Sequence, residues 1–316
     1  MLQGKNKKMF KAKKIGLALS GGGAKGMAHI GVLKVLEKNK IPIDFISGTS
    51  MGAVVAAFYS YEPNAKKLEK EAVSNEWKKL LDYAFPSRGF IKGERIEQFL
   101  KNRLNRVNFK NLKIPLFITA FDIDKKQEIV FQRGDVAKAV RASISIPGVF
   151  VPIENNNRIL VDGGVFDPIP TEILRKKADI IIAVNVSSMK LKKPKMNEEA
   201  TLKKSDKKIP NILKSVLQSL AVVGAEASRV DLYNDMPDLI INVNVEDVDL
   251  FDFEKAKYAI KKGALATQKS LKEIKSLTKK TPFKDFLEEI EKDLRIKPVT
   301  EIPQLVKEVR KKISKS

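Results

Sequence analysis

The sequence predicts a layered α/β fold. Two strand–glycine turn–helix units follow one another near the N-terminus, the run Ile180 to Val186 is apolar but for Asn185 in the manner of a strand buried on both faces, and strands alternate with helices in between.

Ile15 to Leu19 (IGLAL) is the first strand, closed by Gly21-Gly22-Gly23, and a helical stretch from Lys25 to about Lys38 carries Ile30, Leu33 and Leu36 among its apolar positions. Pro42 opens a second short strand, Ile43 to Ile46. After Gly48-Thr49-Ser50-Met51-Gly52 a helix is expected over Ala53 to Tyr59. Helices over 65–83 and 93–105 lead to a strand at Leu116 to Phe121, joined through Asp124-Lys125-Lys126 to a hairpin partner at Glu128 to Phe131. A helix at 135–143 stops at Ser145-Ile146-Pro147-Gly148, and strands at 149–153 and 158–161 flank Asn155-Asn156-Asn157, the second ending in Asp162-Gly163-Gly164. A helix at 170–177, the strand 180–186, a lysine-rich loop at 188–210, a helix at 211–230 and a strand at 238–244 complete the α/β part. The expected organisation is a basic tail at 1–14, a domain at 15–245 and a basic helical extension at 246–316.

Composition removes several function classes. Of the 316 residues 43% are hydrophobic, enough for a substantial core and too many for wholesale disorder. The absence of cysteine excludes a disulfide scaffold, a thiolate-ligated metal and a cysteine nucleophile, and a single histidine, His29, excludes a multi-histidine metal site. The net charge of +22 is concentrated in three segments. Residues 1–14 hold six Lys and no acid, 188–210 eight basic against three acidic residues, and 254–316 eighteen against nine. Lys outnumbers Arg 49 to 11, the wrong balance for reading bases or for bidentate phosphate contacts, so no sequence-specific nucleic-acid partner is expected. No run approaches the ~18 apolar residues of a membrane span, and Ile15 to Leu19 is too short for a signal-peptide core, so a cytoplasmic protein is expected.

The chemistry must therefore come from hydroxyls, carboxylates, amines or backbone. Gly21, Gly23 and Gly26 match G-x-G-x-x-G between a strand and a helix, which opens a dinucleotide-binding oxidoreductase reading with Asp44 as the ribose acid. Asp44, however, lies at the start of the second strand and not near its end. A Walker-type phosphate loop fails because Met27 stands where Lys is needed. Gly48-Thr49-Ser50-Met51-Gly52 is a G-x-S-x-G turn between a strand and a helix, the setting that exposes a nucleophilic Ser50 hydroxyl above a sheet; the alternative is a helix-capping serine. The first glycine loop can then be reread, its amides approaching a developing oxyanion without side-chain obstruction. For the base, His29 falls within the helix after that loop and reads as a partly buried helical residue. Asp162, at a strand end before two glycines, is the best carboxylate candidate. Asp122 and Asp124 are weaker, since a hairpin position suggests solvent.

Gly21-Gly22-Gly23-Ala24-Lys25-Gly26, Gly48-Thr49-Ser50-Met51-Gly52 and Asp162-Gly163-Gly164, in this order, closely resemble the patatin-like phospholipase family, as does Ala142 to Phe150 (ASISIPGVF). The resemblance covers about 15–187. It implies an α/β/α patatin-like fold with a central, mostly parallel sheet, and a serine/aspartate dyad that hydrolyses lipid acyl esters without a metal or other cofactor. It implies Ser50 as nucleophile, Asp162 as base, and the loop of Gly21, Gly22, Gly23, Lys25 and Gly26 with Met51 as the oxyanion and substrate region. Gly48 and Gly52 shape the elbow, and Gly163 and Gly164 the turn after the aspartate. Lys25 departs from the arginine usual in this loop, keeping the charge and losing the planar fork.

The extension carries its own pattern. Phe283, Phe286, Leu287, Ile290 and Leu294 share one helical face, and Ile302, Leu305, Val306, Val309 and Ile313 repeat it beside Lys307, Arg310, Lys311, Lys312 and Lys315. Such a basic amphipathic helix can lie on an anionic membrane, and it can equally pack on the protein's own core. The function expected is a phospholipase A-like or lysophospholipase-like hydrolase acting at membrane surfaces. A non-catalytic membrane scaffold is the third reading.

Overall fold

The computed structural model describes residues 13–74, 91–154, 157–187 and 211–278. The compact unit Lys14–Lys275 holds the sheet and its helices. In chain order these are β1 (Ile15–Leu19), α1 (Ala28–Lys38), β2 (Phe45–Thr49), α2 (Met51–Tyr61), α3 (Ala65–Ala72), α4 (Glu94–Arg103), β3 (Leu116–Asp122), β4 (Gln127–Phe131), α5 (Val136–Ser143), β5 (Ile153–Glu154), β6 (Ile159–Asp162), α6 (Glu172–Arg175), β7 (Ile180–Asn185), α7 (Asn211–Asp235), β8 (Leu239–Asn242) and α8 (Ala256–Thr278). The tail at 1–12, the lysine-rich loop at 188–210, positions 75–83 of the expected helix and both amphipathic stripes beyond 280 lie outside the described residues.

β1 is central. It pairs in parallel with β2 on one side and β7 on the other, and the parallel order continues to β3 and β8. The chain therefore winds outward in two directions from β1, the order reversing between β1 and β7, and the carboxyl ends of β1 and β2 open into a crevice beside that switch point, where α/β folds hold their ligands. β4, β5 and β6 add antiparallel pairing around β3.

The register of β3 decides what meets at that crevice. β4 occupies one edge from Ile118 to Asp122. The opposite edge carries β2 up to the Thr49–Thr119 pair and then β6 from the Asp162–Ala120 pair onward. The end of β2 and the end of β6 thus abut on consecutive residues of one strand.

Helices cover both faces. On one, Ala18, Phe117, Ile181 and Ala183 pack with Ile169, Leu174 of α6 and Leu232 of α7; on the other, Ala120 and Leu160 pack with Ala142 of α5. α8 lies across α1 at two glycines. A Cβ on Gly31 would sit 1.9 Å from the Ile260 carbonyl oxygen and one on Gly263 1.9 Å from that of Ala28, so only backbone without side chains permits this crossing. The sequence reading expected a helical extension here but gave α8 no bounds, its apolar positions being diluted by seven Lys across 255–275.

Three expected elements change. The second strand runs on to Thr49, because β3 continues to pair with it. The strand expected at 149–153 shrinks to Ile153–Glu154. The Val149 and Phe150 amides turn back to the Ile146 carbonyl, and only a bridge to Ile91 remains. The helix at 170–177 is a single turn, while that at 211–230 extends to Asp235.

Candidate active site

The loop after β1 is held from both sides. Gly21 N–H donates to the Pro168 carbonyl (3.0 Å) and Ala24 N–H to the Leu250 carbonyl (2.9 Å). Between them Gly22 and Gly23 have φ of 146° and 54°, conformations that favour glycine. A Cβ on Gly23 would lie 2.4 Å from the Leu250 oxygen. The N–H groups of Gly22 and Gly23 meet no acceptor among the described residues, which leaves two backbone donors beside the elbow. Lys25 is turned toward Asp249 and Glu246; burial lowers its pKa and the two carboxylates partly offset that.

The second glycine motif forms a strained strand-to-helix turn. Ser50 adopts φ 53° and ψ −122°, is 6% exposed, and makes no side-chain capping bond to α2, so it is not the capping serine that the motif also allowed. The two glycines make the turn possible. A Cβ on Gly52 would fall 2.2 Å from the Leu19 carbonyl oxygen, and one on Gly48 2.7 Å from the Gly52 carbonyl carbon. Gly21 runs beside the serine, its missing Cβ 3.4 Å from Ser50 Cβ, and Met51 packs where a Cβ on Gly26 would stand.

Asp162 arrives from β6 into the same place. It is 6% exposed, and burial pushes its carboxyl up to about 6 against the opposing influence of the nearby Ser50 hydroxyl and of the Gly164 N–H. The Gly164 bond is 2.8 Å. Gly163 fits only without a side chain, since a Cβ there would be 2.7 Å from Thr119 Oγ1. Thr49 Oγ1 meets Thr119 Oγ1 at 2.7 Å and donates to the Asp167 carbonyl at 2.9 Å, tying the elbow to the chain beyond Asp162.

The other candidates are elsewhere. His29 is fully buried, its Nε2 2.8 Å from the Ser20 carbonyl oxygen, and burial lowers its pKa to about 4, so it remains neutral. Asp44 accepts from Ile15 N–H (2.8 Å) at the start of β1, at the opposite end of the strands from the glycine loop, and cannot serve a ribose there. Asp122 is buried, contrary to the solvent position expected for it. Its Oδ1 accepts from the amides of Asp124 and Lys125, and Arg158 lies 3.8 Å away. Asp124 is exposed. Among the described residues no group of three or more His, Cys, Asp or Glu is placed to hold a metal ion.

Sequence reasoning missed three contributors. Ser143, the last residue of α5, accepts from the Ser50 N–H at 2.8 Å. Ser145 accepts from the Asp162 N–H through its carbonyl at 2.9 Å. Leu250 closes over Gly23 from a segment far along the chain. Only Ser143 and Ser145 carried a signal, as polar residues inside an otherwise apolar run before Pro147.

Comparison with known proteins gives a consistent result. The family model described as patatin-like phospholipase matches residues 17–175, just over half of the chain. An uncharacterized NTE family protein of Mycobacterium tuberculosis is 36% identical over 181 residues, covering 55% of this chain and 49% of that protein. Lysophospholipase NTE1 of Candida albicans is 33% identical over 196 residues, covering 60% of this chain and 14% of its own. The chain thus spans about half the length of the mycobacterial relative and a smaller part of the fungal one. Among solved structures, VipD from Legionella pneumophila aligns with a TM-score of 0.57 at 15% identity, covering 83% of this chain and 67% of that one, which is a likeness of fold.

Proposed function

The chain belongs to the patatin-like phospholipase family, and from that premise we propose that it hydrolyses acyl esters of phospholipids or lysophospholipids with a Ser50–Asp162 dyad. The observation that carries this reading is the approach of the buried Asp162 carboxyl to Ser50 at a strained turn, with the ends of β2 and β6 abutting on consecutive residues of β3 beside a glycine loop. The description of the fungal relative as a lysophospholipase supports the substrate class.

In the proposed reaction Ser50 Oγ bonds to the ester carbonyl carbon as its proton passes to Asp162. The tetrahedral oxyanion is stabilised by the Gly22 and Gly23 N–H groups and the amino end of α2, since Gly21 N–H is already engaged with Pro168. Collapse breaks the ester C–O bond, and the leaving alcohol takes the proton from Asp162. Water then attacks the acyl-Ser50 ester, gives its proton to Asp162, and the acid is released as Ser50 is reprotonated. A carboxyl whose proton affinity is raised by burial suits both transfers.

Ser50→Ala, folded as the parent, abolishes ester hydrolysis over a panel of phospholipids, lysophospholipids and short esters, and abolishes labelling by a fluorophosphonate. Undiminished hydrolysis in that variant sinks the assignment. The basic segments are assigned to anionic membrane attachment, so vesicle binding weakens with salt and with removal of residues 300–316; salt-insensitive binding removes that part of the reading.

A further inference from the structure

We infer that the carboxyl end of α5 is the element that registers the two halves of the dyad, and that Ser143 is a positioning residue for Ser50. The inference rests on the Ser50–Asp162 reading.

Ser50 lies in a conformation that a residue with a Cβ holds only at a cost. Such a turn persists only where its surroundings over-determine it. The glycines remove obstruction, but they do not pull on Ser50. The contact that does is the bond from Ser50 N–H to Ser143 Oγ, 2.8 Å long and fully buried at the Ser143 end. Two residues on, the Ser145 carbonyl accepts from Asp162 N–H at 2.9 Å. One short stretch, 143–145, therefore grips the backbone of nucleophile and base at the same time.

That stretch is itself immobilised. Arg141, 1% exposed, donates from Nη1 to Ser145 Oγ at 2.7 Å and from Nη2 to the carbonyls of Lys92 and Val151, the latter at 2.9 Å, and its guanidinium lies over the Phe150 ring. Ser145 Oγ returns a bond to the Arg141 carbonyl at 2.9 Å. The planar fork thus fixes the helix end from which Ser143 and Ser145 reach the site. Ser143 touches no reacting atom. It acts by holding the Ser50 amide, and hence Oγ, at the angle from which it meets both Asp162 and an incoming carbonyl.

Removing the Ser143 oxygen frees a buried N–H and lets the turn relax. A displacement near 1 Å at a nucleophile costs about 10²-fold in rate. The test measures the rate of fluorophosphonate labelling at Ser50 and the kcat and KM of a soluble short-chain ester, for the parent, Ser50→Ala, Ser143→Ala, Ser143→Gly and Ser143→Thr, with thermal unfolding of each. Labelling of Ser143→Ala slowed about 10²-fold, kcat reduced with KM kept, and recovery in Ser143→Thr, whose hydroxyl restores the acceptor, are expected. Parent-like labelling and kcat in a folded Ser143→Ala overturn the inference. So does an equal loss in Ser143→Thr, or failure of both Ser143→Ala and Ser143→Gly to fold, which makes the residue structural. If the parent is labelled at a residue other than Ser50, or Ser50→Ala retains hydrolysis, the dyad reading itself has failed.

Discussion

The Asp162 carboxyl lies beside Ser50 in a site where each residue is only 6% exposed. In the proposed reaction Asp162 must be ionised to take a proton, and burial raises its pKa to about 6. kcat/KM for a neutral ester is therefore expected to rise with pH through about 6 and to level above it, with no second rise from His29, whose pKa is lowered to about 4. A rate that rises with a midpoint near 4 contradicts the environment assigned to Asp162.

The same burial has a stability sign. Asp162 binds its proton more tightly folded than unfolded, since its pKa moves from 3.8 to about 6. Its contribution is fully present below the unfolded value and is lost as pH rises through about 6. Asp162→Asn removes the buried charge and is expected to be inactive yet more stable than the parent at pH 8, by up to roughly 3 kcal/mol, with the difference shrinking toward pH 4. Thermal unfolding at the two pH values checks it, and an Asn variant less stable at pH 8 than at pH 4, relative to the parent, is the contrary result.

Gly52 stands in a gap that backbone atoms define. A methyl there falls 2.2 Å from the Leu19 carbonyl oxygen, and neither partner is a flexible side chain that can swing away. Gly52→Ala should cost about 3 kcal/mol and lower activity further by displacing Ser50. Chemical denaturation measures the first and fluorophosphonate labelling the second.

The α1–α8 crossing allows a matched pair of helix substitutions. Gly31→Ala and Gly263→Ala place a methyl 1.9 Å from a carbonyl oxygen of the facing helix and are each expected to destabilise by about 3 kcal/mol. Gly224→Ala in α7 meets nothing closer than the Gly164 oxygen at 3.5 Å, and the gain in helix propensity should stabilise by up to about 1 kcal/mol. Equal effects at all three positions would show that helix propensity, not the close approach, governs.

Local pattern made some of this readable and distance in the chain hid the rest. β1 with its glycine loop, and β2 with the Ser50 turn, are each specified within a few residues by an apolar run, small residues and a helical period. Asp162 could be suspected from the two glycines after it. Its approach to Ser50 could not, because it depends on β6 landing on the same β3 edge that β2 has just left. Leu250 was invisible for a different reason. Its carbonyl, which any residue could supply, accepts from Ala24, and its side chain reaches Gly23 from far along the chain. Gly31 and Gly263 were readable in principle, as glycines interrupting helical stretches, but their meaning requires the partner helix. The strand expected at 149–153 followed β propensity at Val149 to Val151 and gave way to the turn that Pro147 and Gly148 impose.

The edge of β3 has one further consequence. Thr119 and Ala120 are neighbours, and one pairs with the strand end that leads into Ser50 while the other pairs with Asp162, so the interval between that hydroxyl and that carboxyl is set across a single peptide unit. Chain length between the two motifs does not enter. Insertions leave that interval unaltered only where they spare this edge of β3 and the α5 end at 143–145 that grips both backbones.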